Sequence, residues 1–273
     1  MLGKDHINIS VAIIIPFLVA FFFLNTGDFL VMVVLLISVL IGSLLPDADC
    51  GGKATIYYKF PMIDNFMKKV VVKSVIFIFN HLISKEKIKT EHEIRDEHRG
   101  IMHSPIGVFL SSIMLIIPII IFALIFSLFN LIVILTIFFG LIIGQLLHLF
   151  EDSCTISGIN WTFPFITTEL KGKIYTFSKD PDKKDIRPML YAWIFYLLIG
   201  LLIVGYAFSV LQDINVFLIF ILISLYEIIA LFVIFKLSKS NSGMWIVRKE
   251  VIKKINKHTR RIWGNHTNSP YGF

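Results

Sequence analysis

The chain has 273 residues, of which 56% are hydrophobic and 14% aromatic, and its mean hydropathy is +0.79. This composition is too apolar for a soluble domain of that length and is typical of an integral membrane protein. The formal net charge is +7. Because no recognisable nucleic-acid-binding fold fits between the apolar runs, we expect the basic residues to contact lipid head groups rather than nucleic acid.

Six apolar runs have about the length that a bilayer core of roughly 30 Å requires. The turns that join them in pairs are short and contain no Lys or Arg, and the 26 basic residues lie in the other segments when Lys236, the last residue of the sixth run, is counted with the tail. Six spans alternate sides, so the basic segments share one face, which the positive-inside rule identifies as cytoplasmic. The sequence therefore predicts an all-α, polytopic helical bundle in the cell membrane, with about six transmembrane helices in three hairpins and both termini cytoplasmic. The runs are 9–24, 29–45, 105–127, 130–150, 189–211 and 214–236.

The first candidate ligands in chain order stand at the ends of the first two runs. His6 precedes the first run, and Asp47 and Asp49 follow the second in the segment Leu45-Pro46-Asp47-Ala48-Asp49. In an extended chain, two carboxylates two residues apart point to the same side and can share a cation. An Asp-x-Asp pair after proline is also ordinary turn chemistry, and a single histidine near an N-terminus is usually solvated.

The long polar segment 46–104 contains an apolar stretch, 66–83, with lysines at one end. We predict an interfacial or re-entrant helix on the cytoplasmic surface there, with a seventh span as the alternative. The charged segment 84–98 predicts a largely solvated helix.

The third run begins at a helix-start signal, with Ser104 as the N-cap and Pro105 in the first helical position. His98 and His103 flank the turn before it, and Arg99 is suited to hold an anionic group near the helix N-terminus. The alternative is a basic juxtamembrane stretch with incidental histidines.

The fourth run ends in the segment His148-Leu149-Phe150-Glu151-Asp152. Residues at i and i+4 share one helix face, so His148 and Asp152 can bind the same metal ion. The alternative is a local pair at the helix C-terminus. Since separate span ends deliver His or Asp to one face, the residues together predict a metal site.

These motifs resemble those of the YdjM-type (LexA-regulated) family of inner-membrane metal-dependent hydrolases. The family pattern is an N-terminal His, LPD-x-D, HR-G-x-x-HS and H-x-x-x-D-x-x-T-x-x-G followed by a Pro. The matches in this chain are His6, Leu45 to Asp49, His98 to Ser104, His148, Asp152, Thr155, Gly158 and Pro164.

The resemblance, with the residue chemistry, implies hydrolysis of a phosphoester by metal-activated water at the cytoplasmic membrane face. One or two divalent ions are expected, Zn before Mn or Fe, with a lipid or lipid-linked phosphate as substrate. His98 and Arg99 are the predicted catalytic residues, and Arg99 and Ser104 the substrate-binding ones. The predicted metal ligands are His6, Asp47, Asp49, His103, His148 and Asp152.

Other function classes use similar residues. A metal-ion transporter would place its ligands near the bilayer midplane, where Glu227 lies deep in the last run. A PAP2-type lipid phosphatase shares the His-x-x-x-Asp element, but its other motifs are missing from the sequence. A non-catalytic membrane regulator or scaffold would use the basic tail.

Two regions are expected overall. Residues 1–236 form the membrane-embedded helical domain, with its motifs within 6–165, and 237–273 form a basic tail. The tail begins with a loop from Ser238 and continues as an amphipathic helix near 245–263.

Overall fold

The computed structural model describes residues 3–24, 28–49, 61–82, 100–163, 168–175, 185–208, 210–211 and 214–244. Residues 1–243 belong to one compact unit and Met244–Phe273 to a second. The predicted helices 84–98 and 245–263, with Pro164, lie outside the described residues. The helices are α1 (Gly3–Phe23), α2 (Phe29–Leu44), α3 (Pro61–Phe66), α4 (Lys73–Leu82), α5 (Pro105–Ile125), α6 (Leu131–Ser153), α7 (Arg187–Ala207) and α8 (Val216–Leu237).

The helical membrane bundle that the sequence predicted is confirmed. Five helices are long and apolar enough to cross a membrane, and α2, which coincides with the second predicted run, is a shorter apolar helix of 16 residues. Members of each predicted hairpin contact one another, and the hairpins join mainly through α2 against α6 and α1 against α7. Asp28, Asn130 and Asn215 cap the second helix of each hairpin by accepting hydrogen bonds from its first turn.

Small residues let α2 and α6 approach closely. A Cβ added at Gly140 would lie 2.6 Å from Ser38 Cβ, and one added at Gly144 would lie 2.7 Å from Ser43 N. Within lipid, helix association depends on packing and polar contacts rather than on burial from water, so small residues four apart form close interfaces. This packing places the end of α2 beside the last turns of α6.

Polar side chains join α6 to α5 inside the bundle. The Gln145 side chain accepts a hydrogen bond from Ser111 Oγ at 2.6 Å and donates one to Ser112 Oγ at 2.8 Å. All three residues are buried. Because unpaired polar groups are costly in an apolar interior, this network fixes α5 against α6 one turn before His148.

The segment predicted as an interfacial or re-entrant helix is helical over α3, a π-helical stretch Met67–Val72, and α4. Its buried side includes Met67, Val71 and Phe79, which pack in one cluster with residues of the turns around 45–48 and 101–102. Its lysines at 69 and 73 are exposed. The helix therefore lies directly against the turns that carry Asp47 and His103.

Three short strands follow α6 and α8. β1 (Ile159–Asn160) pairs antiparallel with β2 (Thr168–Lys171), and β3 (Asn241–Met244) completes a sheet of order β1-β2-β3. The loop predicted at 238–243 is therefore wrong at 241–243, which lie in β3. The backbone explains the difference, because Lys173 N donates to Ser238 O at 2.8 Å and brings the end of α8 beside β2.

Candidate metal centre

Four elements bring the candidate ligands to one end of the bundle. His6 lies in the second turn of α1, and Asp47 in a 3-10 turn, Pro46–Asp49, that follows α2. His103 ends another 3-10 turn, Ile101–His103, before α5. His148 and Asp152 lie in the last turns of α6. All five side chains are buried, with the three histidines and Asp152 at 1% exposure or less.

A core of two histidines and two aspartates forms the centre. His103 Nε2 lies 3.7 Å from Asp47 Oδ1 and 3.9 Å from Asp152 Oδ2. His148 Nε2 lies 3.6 Å from the same Asp47 oxygen and 3.8 Å from the same Asp152 oxygen. Each of the two nitrogens therefore lies within 3.9 Å of both oxygens.

His6 contacts the same cluster through the second carboxylate oxygen of Asp152. Its Nε2 lies 3.5 Å from Asp152 Oδ1, and its ring stacks on that of His148 with centroids 3.8 Å apart. Two groups could hold a metal ion, each with donor atoms within 4.8 Å of one another: His6, His148 and Asp152, and Asp47, His103 and His148. His148 belongs to both.

These separations fit a shared cation better than hydrogen bonds. An N–H···O bond spans about 2.7–3.2 Å, whereas two ligands each about 2.1 Å from a tetrahedral metal lie about 3.4 Å apart. The nitrogen–oxygen distances here are 3.5–3.9 Å. Within the described residues, Nε2 of His6 and Nε2 of His148 are buried without a hydrogen-bond partner. The residues therefore fit a divalent metal with nitrogen and oxygen ligands.

The second ring nitrogen of His148 defines which tautomer the site uses. Nδ1 lies 2.7 Å from the carbonyl oxygen of Ser43. A carbonyl oxygen only accepts, so Nδ1 must donate its proton to it. In the neutral ring, Nε2 then carries a lone pair directed at Asp47 and Asp152. Orientation of a ligand histidine by such an outer partner is common to metal sites.

The turn after α2 departs from the predicted conformation. The residues Pro46–Asp49 form a 3-10 turn and not an extended chain, so residues two apart do not share one side. The reason for pairing Asp47 with Asp49 is therefore removed, and the Asp49 side chain lies outside the described part of the chain. Burial raises the pKa of the Asp47 carboxyl, but the imidazoles of His148, His103 and His6 outweigh it, and the pKa lies below its ordinary value. This favours the anionic form, which binds cations.

A model of the YdjM inner membrane protein family matches residues 1–239. The chain belongs to this family. The match covers all eight helices and all five converging side chains, and it confirms the family resemblance found in the motifs. No curated protein and no solved structure matches the chain.

The motif residues that are not ligands in this YdjM-family chain have structural partners where they are described. Ser104 is the predicted N-cap of α5: its Oγ accepts from Gly107 N at 3.2 Å and also donates to Ile101 O at 2.7 Å. Thr155 Oγ1 donates to Asp152 O at 2.7 Å, and Gly158 adopts a positive φ of 61°. Substrate binding by Ser104 stays a prediction. His98 and Arg99 lie outside the described residues.

Sequence reasoning missed two partners of this YdjM-family site. Glu151, three residues after His148, is 2% exposed, and its Oε2 lies 2.7 Å from His6 Nδ1. The sequence spacing could have indicated Glu151, since residues at i, i+3 and i+4 share a helix face. The Ser43 carbonyl had no signal, because every residue has a carbonyl group.

Proposed function

We propose that the protein is a membrane-bound, metal-dependent hydrolase that acts on a phosphoester. The observation that supports this most is the convergence of three histidines and two aspartates from four elements, with buried Nε2 atoms of His6 and His148 that no described group hydrogen-bonds. Buried polar atoms without partners are costly in a folded protein, so they indicate a ligand at the site. Imidazole and carboxylate together favour Zn, Mn or Fe over Ca.

The proposed hydrolysis requires a Lewis acid. When bound there, a divalent metal supplies the means to activate water near neutral pH and to polarise a phosphoryl group. His103, His148, Asp47, Asp152 and His6 would hold it. We assign to His98 a proton-transfer role and to Arg99 the neutralisation of charge on the phosphoryl oxygens, and to Ser104, at the start of α5, a role in substrate binding.

The position of the site favours a phosphate carried by a lipid. The candidate ligands lie at the ends of apolar helices, where head groups meet a bundle. The helix α3–α4 packs on the turns of Asp47 and His103 and exposes both apolar and basic side chains, with Phe66 46% and Phe77 60% exposed. An amphipathic helix of this kind binds to lipid head groups. We therefore propose a lipid-linked or head-group phosphoester as substrate and membrane lipid as partner.

The positive-inside distribution of Lys and Arg supports a cytoplasmic site with both termini on that side. A cysteine reporter at Ser127, between α5 and α6, and another at Lys239, after α8, test this in intact cells. The proposal expects an impermeant thiol reagent added from the periplasm to label the first and not the second. The reverse pattern would contradict it.

A metal-ion transporter is the second candidate, and one observation favours it. Glu227 lies in the middle of α8, is 7% exposed, and its Oε1 has no hydrogen-bond partner among the described residues. Buried acids inside membrane helices often mark ion pathways. E227Q should abolish metal uptake by a transporter and leave hydrolysis unchanged. A regulator or scaffold that uses residues 245–273 would instead lose its function when that tail is deleted.

The direct test is metal content followed by a substrate screen. We expect one or two divalent transition-metal ions per chain in detergent-purified wild-type protein, and their loss in an Asp47→Ala, His103→Ala, His148→Ala triple variant. The wild-type protein in vesicles should then release phosphate or a phosphorylated head group from a phospholipid or polyprenyl phosphate panel. A folded wild-type protein that cannot be loaded with any divalent metal would overturn the hydrolase proposal.

A further inference from the structure

Glu151 is a buried acid beside the metal centre but outside its ligand groups. Its Oε2 lies 2.7 Å from His6 Nδ1, while its Oε1 is buried without a hydrogen-bond partner in the described part of the chain. The side chain is 3% exposed. Burying a carboxyl group with so few partners is unfavourable by itself, so a compensating interaction at His6 is needed.

We propose that Glu151 is a positioning residue that turns His6 into a metal ligand, an inference that rests on the proposed metal-dependent function. A neutral imidazole carries one proton, and only its other nitrogen can bind a metal. If His6 Nδ1 donates its proton to Glu151 Oε2, Nε2 keeps the lone pair that faces Asp152 Oδ1 at 3.5 Å. Without an acceptor at Nδ1, the ring is free to carry its proton on either nitrogen.

His148 shows the same arrangement with a different outer partner. Its Nδ1 contacts the Ser43 carbonyl, and its Nε2 faces the centre. The two rings stack with an interplanar angle of 18°, and both Nε2 atoms face Asp152. The outer partners differ in chemistry: a backbone carbonyl is neutral, whereas a carboxylate makes the imidazole a stronger donor to a metal.

The location of His6 explains why it needs a side-chain partner. His148 lies on α6, where close packing against α2 brings the backbone carbonyl of Ser43 to its Nδ1, so no particular side chain is required. His6 lies on α1, whose main neighbour is α7. The hydrogen bond between His6 Nδ1 and Glu151 ties the His6 ring to α6, the helix that carries two further candidate ligands.

A double-mutant cycle on the full-length protein in detergent tests this inference. E151M removes the acceptor and the charge at similar length, and E151Q retains an oxygen that accepts from Nδ1. Zn²⁺ affinity is measured by competition with a chelator, and the visible spectrum is recorded with Co²⁺. S224A, which removes a hydroxyl that bonds within α8, is the control.

We expect E151M to weaken Zn²⁺ binding about 10–100-fold, the range found for outer-shell partners of metal ligands, and to shift the Co²⁺ absorption bands. E151Q should lose clearly less, and S224A should bind as wild type. In a His6→Ala background, E151M should cause no further loss, because its effect passes through His6.

If the wild-type protein binds metal, any of three results would overturn the role of Glu151 and leave the proposed function standing. E151M could bind Zn²⁺ like wild type, E151M and E151Q could lose the same amount of Zn²⁺ affinity, or E151M could cause the same loss in a protein without His6. A wild-type protein that binds no divalent metal overturns the proposed function and this inference together. The melting temperature of each variant shows whether a loss of binding follows from unfolding, and E151Q, which keeps size and polarity, decides the matter if E151M does not fold.

Discussion

The contact between α2 and α6 should control the metal centre from a distance, and a single methyl group tests this. A Cβ at Gly144 would overlap the carbonyl oxygen of Val39 and would lie 2.7 Å from Ser43 N, with ordinary contact beginning at 3.4 Å. G144A must therefore push α2 away by at least about 0.7 Å at Ser43. The Ser43 carbonyl accepts from His148 Nδ1 at 2.7 Å, and a displacement of that size along the bond would stretch it to about 3.4 Å, where hydrogen bonds are weak.

Two effects of G144A follow from that displacement. Overpacking of a close interface costs typically about 1–3 kcal/mol, and the weakened hydrogen bond about 1 kcal/mol more. The loss of orientation at His148 should lower metal affinity about 10-fold or more. The assays are thermal unfolding in detergent and Zn²⁺ affinity by chelator competition.

Gly200 offers the matched control, because a Cβ there meets nothing within 4 Å. G200A makes the same chemical change within a membrane helix, α7, and should leave both the melting temperature and Zn²⁺ affinity near the wild-type values. If G144A and G200A behave alike in both assays, the close α2–α6 contact does not position His148, and the reasoning from packing to the metal centre fails.

Three further predictions concern other parts of the molecule. D152A should lose metal binding, since Asp152 faces all three histidines, and a chelator should then no longer lower the melting temperature as it does for wild type. Q145L should reduce the free energy of unfolding by about 1 kcal/mol, because buried Ser111 and Ser112 lose their interhelical partner and keep only their bonds to Val108 O within α5. D185N should make the melting temperature decrease less than that of wild type as the pH is lowered. Burial raises the pKa of Asp185, but hydrogen bonds from Arg187 lower it below its ordinary value. Its stabilisation is thus present above the unfolded-state pKa and is lost as pH falls through the folded one.

Each of these predictions has a control and a contradicting result. Full metal occupancy in folded D152A would remove Asp152 from the ligand set. S224A deletes a hydroxyl that bonds within its own helix, so a loss of stability equal to that of Q145L would show that the interhelical network contributes nothing specific. An unchanged pH profile in D185N would mean that the contact with Arg187 does not stabilise the fold.

Metal stoichiometry is a related expectation of the site geometry. Both ligand groups include His148, and with Nδ1 bonded to Ser43 its ring has one lone pair to offer. The described groups therefore cannot both use His148 at once. We expect one ion bound through His148 per chain, and elemental analysis of wild type beside His6→Ala would show whether a second ion depends on His6.

The sequence alone was sufficient to predict the membrane helices and the end of the bundle at which the ligands lie. Apolar runs of span length identify membrane helices locally, and capping residues such as Ser104 mark where they begin. Because spans alternate sides, His6, His103 and His148 had to lie at the same end whatever the packing. The spacing of His148 and Asp152 on one helix face also follows from helical geometry.

Only the tertiary structure decided which helices are neighbours and which atoms meet. Alternation assigns a residue to one end of the bundle but does not say that α2 packs on α6, and so could not place the Ser43 carbonyl against His148. The extended conformation expected at Asp47 was wrong because the turn closes under the helix α3–α4. The bond between Glu151 and His6 joins residues 145 positions apart. Such contacts depend on how whole helices pack, which no local pattern in the sequence specifies.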